Sequence, residues 1–184
     1  ENNVPLCFDE MQAGFARTGK KFGYEHYGVT PDLICVGKGM GGGVPLSGVL
    51  GRAEVMDLPE TGDMSSTHSA NPLCCAAGLA TLQEIERLDL VKEAERKWRV
   101  LVDALADLHA HWRVPHRKAA FNGKGLIAAV IFGKPDGAQF ASRVAERCMQ
   151  KGLLVVHTGR ESIKIGPPLT IPDNALIEGV EVLE

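Results

Sequence analysis

Aromatic residues are scarce, at 5% of the 184 residues, and no long basic tract interrupts the chain. A nucleic-acid surface depends on clustered Lys and Arg, and the net charge of −3 argues against one. Long hydrophobic runs are missing as well. The apolar stretch at 125–132 is far too short to span a bilayer, and no secretory leader pattern opens the chain. The five cysteines are an odd number and contain no Cys-x-x-Cys pair, so neither a disulfide framework nor a zinc knuckle fits. Most of them read as small hydrophobes in apolar surroundings, and a reducing, cytoplasmic compartment is expected. A start methionine is absent too: the sequence opens Glu1-Asn2-Asn3 and enters an apolar run at once. The chain therefore reads as a piece of something longer.

What remains is an ordinary globular balance of 45% hydrophobic and 23% charged residues. Residues 4–8 form a short apolar strand ending at Asp9. Residues 13–31 read as loop with a short helix, 33–36 as a second buried strand and 46–50 as a third. Between the last two, residues 37–43 hold five glycines. Asn71 and Pro72 have the chemistry of an N-cap and a first helical turn. Apolar residues at Leu79, Leu82 and Ile85, then Val91, Ala94, Trp98, Leu101, Leu105 and Leu108, trace a helical face. A break is expected near Leu88-Asp89.

Beyond it the composition changes. Residues 109–118 are basic and histidine-rich, and 123–125 form a turn. Strands are expected at 126–132, 153–157 and 162–165, with a helix at 137–151. Thr170 and Asp173 have capping-box spacing for a last helix. The expected division is 1–108 and 109–184, the second part being a small α/β domain.

Two residues carry candidate chemistry. Lys38 follows an apolar strand and precedes the glycine run. Lysine becomes a Schiff-base nucleophile when desolvation lowers its pKa, though position alone favours a surface lysine in a flexible loop. The phosphate-cradle alternative fails, because that pattern puts Gly-Lys-Ser/Thr after the glycines and before a helix. Asp9 ends the first strand, where a carboxylate can pair with a protonated pyridine nitrogen and keep the ring an electron sink. A turn or cap role is the ordinary alternative. His109, His111 and His116 lack a carboxylate or cysteine at helical spacing and read as surface residues.

The run Phe8-Asp9-Glu10-Met11-Gln12-Ala13-Gly14-Phe15-Ala16-Arg17-Thr18-Gly19 resembles the signature of class III (omega-amino acid) aminotransferases. Pro31-Asp32 with Gly37-Lys38-Gly39 and Gly42-Gly43-Val44-Pro45-Leu46 is similar to that family's lysine segment. Ser66-Thr67-His68-Ser69-Ala70-Asn71-Pro72-Leu73 and Pro167-Pro168-Leu169-Thr170-Ile171 resemble two further family segments, in the family's order. Residues 51–57 are similar to the 4-aminobutyrate aminotransferase branch, which implies an omega-amine donor.

The resemblance implies an α/β chain: part of the fold type I large domain of pyridoxal 5′-phosphate enzymes, followed by a small C-terminal domain. It implies Lys38 as the Schiff-base lysine, Asp9 at the pyridine nitrogen and Gln12 beside the phenolic oxygen. It implies Thr67 at the cofactor phosphate of a neighbouring subunit, in a homodimer with shared active sites. Glu10 and Arg17 are expected to support the site rather than act in it. The implied reaction moves an amino group from an amino acid or omega-amine donor to a keto acid. Many members hold a substrate carboxylate with an Arg before Pro-Pro-Leu; here Lys164 stands there, with Arg160 four residues earlier. The family's N-terminal half, with its phosphate cup and ring-stacking aromatic, does not precede Glu1. An aminomutase of the same family and a truncated, non-catalytic α/β module stay open as alternatives.

Overall fold

In the computed structural model the described residues are 4–112, 119–133, 136–157 and 159–184. They divide into two compact units, Glu1–Val91 and Lys92–Glu184. The division falls near the start of a helix rather than after it at 108, because that helix packs its apolar face into the second unit's core.

The first unit holds a three-stranded sheet in the order β1 (Cys7–Asp9), β2 (Leu33–Val36), β3 (Gly48–Gly51). β1 and β2 are parallel, with Asp9 level with Cys35; β2 and β3 are antiparallel. Asp32 fixes the start of this pairing. Its backbone N–H donates to Leu6 O at 2.9 Å, while the Leu6 N–H donates to its carboxylate at 2.8 Å. That second bond, ahead of Arg52, holds the Asp32 carboxyl below the usual carboxylate range. At the other end the Glu10 N–H donates to Cys35 O at 2.9 Å.

Glu10 is buried, at 1% exposure. Its two oxygens accept the N–H groups of Gly23 and Tyr24, each at 2.8 Å. A buried carboxylate is tolerated only when paired or hydrogen-bonded in this way. It ties the 3₁₀ turn Gly23–Tyr27 to the end of β1.

A short α1 (Ala53–Met56) follows β3, and α2 (Pro72–Arg87) starts as the sequence predicts, with Asn71 Oδ1 accepting from Leu73 N at 3.0 Å. The expected break is present: Asp89 takes a left-handed φ of 48° between α2 and α3 (Leu90–His111). The apolar face expected on α2 is largely open, however. Ile85 is buried, but Leu79 is 59% exposed. The sheet is equally open among the described residues, with β3 exposed along its length and only Val36 of β2 buried.

The second unit has an antiparallel sheet in the order β4 (Ala119–Lys124), β5 (Ile127–Phe132), β7 (Ser162–Ile165), β6 (Val156–His157). β4 was not expected, since Gly123 reads as part of a turn and Phe121 is the one large apolar side chain in the strand. In β5, Ala128, Val130 and Phe132 point inward at the period of two that a half-buried strand requires. They pack with Leu101 and Leu105 of α3, Ala141 and Cys148 of α4 (Gly137–Gln150), and Leu176 and Val180 of α5 (Asp173–Glu181). The capping box expected for α5 does not form, and no side chain caps it. The Asp173 carboxylate is engaged elsewhere: both oxygens accept from Arg96 of α3 at 2.8 Å. The histidine reading at His116 lies outside the described residues.

Replacing Glu10 with Gln removes the charge and leaves one carbonyl oxygen for two N–H donors. Urea unfolding should then lose roughly 2–3 kcal/mol; a loss under about 0.5 kcal/mol would show that the turn is held otherwise. Arg96 holds the Asp173 and Glu93 carboxyls below their ordinary range, first through hydrogen bonds. A depressed native pKa contributes stability above the unfolded value and loses it as pH falls through the native one. Melting temperature should therefore fall on acidification below pH ~4. Asp173→Asn should flatten part of that slope; an unchanged acid limb would count against the ion pair.

Candidate active site

The site is built at the C-terminal ends of β1 and β2. Parallel strands deliver their ends to the same edge of a sheet, where open α/β folds bind ligands. Asp9 is the last residue of β1, level with Cys35, and Lys38 follows three residues beyond Cys35 on the neighbouring strand's exit. Asp9 Oδ1 accepts from Met11 N at 3.0 Å, closing an Asx turn that directs the chain away from the sheet. Its second oxygen takes no hydrogen bond from the described residues, and neither does the exposed Lys38 amine. Both groups are available to a ligand.

Lys38 adopts φ 47°, a left-handed conformation that costs an L residue about 1–2 kcal/mol. Its surroundings hold that bend. The Met11 side chain lies on Gly37 so closely that a Cβ there would come within 2.7 Å of its sulfur. The 3₁₀ turn Lys38–Gly41 continues into Gly42, also left-handed at φ 61°. A Cβ on Gly42 would overlap Thr81 Oγ1 of α2. Gly78 of the same helix meets Leu46, whose Cδ2 would be 2.5 Å from an added Cβ. Thus α2 buttresses the lysine turn through two close approaches at glycines, and at Gly42 the left-handed φ favours glycine as well.

Gln12 sits on the turn directly after Asp9. Thr67 is exposed on the loop before α2, where the Ser69 hydroxyl donates to Ser66 O at 2.8 Å. Thr67 bonds to neither Asp9 nor Lys38 within the chain. Ala70, at φ 51°, turns this loop into the Asn71 cap. Arg160 and Lys164 belong to the second unit. Lys164 is half-buried on β7, paired with Ala129 and Val156. Arg160 is exposed on the preceding turn, its carbonyl accepting from His157 Nε2 at 3.2 Å.

The cysteines do not behave as core hydrophobes, apart from buried Cys148. All five are free thiols, and Cys7 and Cys75 are exposed. The sulfurs of Cys7 and Cys35 lie 3.9 Å apart. The Cys7 thiol beside it, then burial, then the charges of Cys7 and Asp9, push the Cys35 pKa up, so this thiol stays protonated at neutral pH. Sequence reasoning gave no supporting role to Met11, Asp32, Gly78 or the two partners of Glu10, Gly23 and Tyr24. An Asp just before a strand and a Gly inside a helix were the available signals.

The chemistry of the donor set fits a pyridoxal-type cofactor: an unpaired primary amine and a carboxylate with an uncommitted oxygen at one sheet edge. Comparison with known proteins agrees. The family model Aminotransferase class-III matches residues 1–184. A 4-aminobutyrate aminotransferase of Mycobacterium leprae is 38% identical over 189 residues, covering 100% of this chain and 42% of the relative. A leucine/methionine racemase of Thermococcus litoralis is also 38% identical, over 100% of this chain and 42% of the relative. The crystal structure of an acetylornithine aminotransferase from Elizabethkingia anophelis superimposes with a TM-score of 0.88 at 31% identity, covering 98% of this chain and 45% of that one. The chain spans less than half the length of these relatives, and its fold is that of the matching part of a fold type I enzyme. Matched along its whole length and by relatives above 30% identity, the chain belongs to the class-III aminotransferase family.

Proposed function

We propose that the whole protein is a pyridoxal 5′-phosphate-dependent transaminase, moving an amino group from an amino acid or omega-amine to a keto acid. The observation that carries this reading is the parallel register of β1 and β2, with Asp9 and Lys38 at one sheet edge and neither fully engaged. Lys38 would hold the cofactor through Nζ, and its amine, once free, would act as the general base that takes a proton from the substrate carbon. Asp9 would pair with the protonated pyridine nitrogen, and Gln12 would lie beside the phenolic oxygen. The bound cofactor supplies the electron sink that makes the carbanion accessible.

Thr67 reaches the phosphate of a neighbouring subunit's cofactor, which requires a homodimer. Its exposed loop and its lack of bonds to Asp9 and Lys38 support a role between subunits. Lys164 and Arg160 receive a substrate carboxylate; lysine offers a point charge without the planar fork of arginine. Five unpaired thiols support a reducing, cytoplasmic setting. Among the described residues no helix is long and apolar enough to cross a membrane. In this reading the small C-terminal part of the chain holds the substrate cations, both of which lie in the unit Lys92–Glu184.

A second reading, an isomerase of the same family, has a specific support: a racemase is as similar to this chain as an aminotransferase is. The same Lys38 proton chemistry serves both, so the requirement for a keto acid separates them.

The whole protein mixed with pyridoxal 5′-phosphate should acquire a visible absorption band that survives dialysis and is absent in Lys38→Ala. Turnover in that variant should fall by roughly 10²–10⁴. A band retained by Lys38→Ala would remove Lys38 from its role. Turnover without any keto acid would replace the transaminase by the isomerase.

A further inference from the structure

Lys97 is a buried cation with no role in the mechanism above. It is 5% exposed on α3, where a Met of similar volume would fill the space without desolvating a charge. Its ammonium donates to the backbone carbonyl of Leu169 at 2.9 Å. The Glu93 carboxylate is farther off, at 3.9 Å, and is already bound by Arg96 at 3.0 Å. The short contact is therefore an aimed donor on a carbonyl rather than an ion pair.

Leu169 lies in residues 166–172, Gly-Pro-Pro-Leu-Thr-Ile-Pro. Prolines at 167, 168 and 172 supply no backbone N–H, so three of its seven residues cannot donate to a hydrogen-bonded ladder. One turn bond, from Ile171 N to Pro168 O at 3.1 Å, folds it locally. Neighbouring residues of one turn of α3 then grip it from outside. Lys97 holds Leu169, and Arg96 holds Asp173 through both carboxylate oxygens at 2.8 Å. The segment leaves β7 directly, starting two residues after Lys164, and Leu169 lies five residues beyond that lysine.

We propose that Lys97 is a positioning residue for substrate recognition. Its ammonium fixes the Leu169 carbonyl, sets the path of the proline-rich segment, and so holds the end of β7 on which Lys164 is placed. This rests on the reading of Lys164 as a carboxylate-binding cation. A purely structural lysine would contribute only to melting temperature.

The test is Lys97→Met and Lys97→Arg in the whole protein, read in two ways. The first is hydrogen–deuterium exchange at the amides of Leu169, Thr170 and Ile171, which needs no bound cofactor. Loss of a charge-assisted bond should speed it by about tenfold or more in Lys97→Met. The second is steady-state kinetics: KM for the keto acid should rise by about fivefold or more with kcat within about twofold, since the acid–base groups are untouched. Lys97→Arg, which keeps a donor, should recover part of both effects. Unchanged exchange overturns the contact as a positioning device. Faster exchange with an unchanged KM overturns its link to recognition, as does an equal loss in kcat. Faster exchange in Lys97→Met together with a wild-type protein that performs no transamination defeats the proposed function and the recognition role while leaving the contact itself in place.

Discussion

The parallel register of β1 with β2 is the constraint on which the candidate site depends. Asp9 opposite Cys35 sets the carboxylate and Lys38 at the same edge of the sheet. Because side chains alternate faces along a strand, a slip of one residue would turn Asp9 to the other face and separate the pair. Three-residue strands carry too few ladder bonds to exclude such a slip alone. The register is instead locked at both ends. Asp32 binds Leu6 through backbone and carboxylate, and the Glu10 backbone reaches Cys35. Asp32 and Glu10 are thus positional devices for chemistry assigned to Asp9 and Lys38.

The second requirement is a lysine turn that stays bent. A left-handed Lys38 opposes the conformational preference of every L residue, and sparsely populated backbone angles persist where the surroundings over-determine them. Here Met11 lies on Gly37, and Thr81 and Gly78 bring α2 against Gly42 and Leu46. The cap at Asn71 therefore has an effect beyond helix stability. It fixes where α2 starts, and hence which residues of α2 meet the glycine run.

Local chemistry made much of this legible in the sequence. Asn71-Pro72, the Leu88-Asp89 break and the strand at 33–36 are each encoded by adjacent residues, and each is found where its residues point. The failures share a different cause. Whether α2's apolar face is covered, whether Cys7 is buried and where the compact units divide depend on what packs from elsewhere. Periodicity reports that a face is apolar and not what covers it. Asp173 shows the same limit in miniature. Its spacing from Thr170 fits a capping box, but Arg96 is a stronger, charged partner whose approach is visible only in three dimensions. Lys38 and Asp9 were legible as a pair through motif resemblance, whereas their unspent valences needed the structure.

The division of labour between the units bears on how reactions diverge in this family. Under the proposed function, everything that moves a proton lies in the first unit, on the edge shared by β1 and β2. On that reading the Lys38 amine serves a transaminase and an isomerase alike, so that edge alone does not tell them apart. Discrimination must come from the groups that hold the rest of the substrate, assigned here to Lys164 and Arg160. A lysine holds a carboxylate as a point charge and tolerates a wider range of approach than an arginine fork does. Its selectivity then depends on how firmly the strand carrying it is placed. A recognition residue with little geometric preference of its own makes the Lys97 and Arg96 grip on the following segment the more consequential contact.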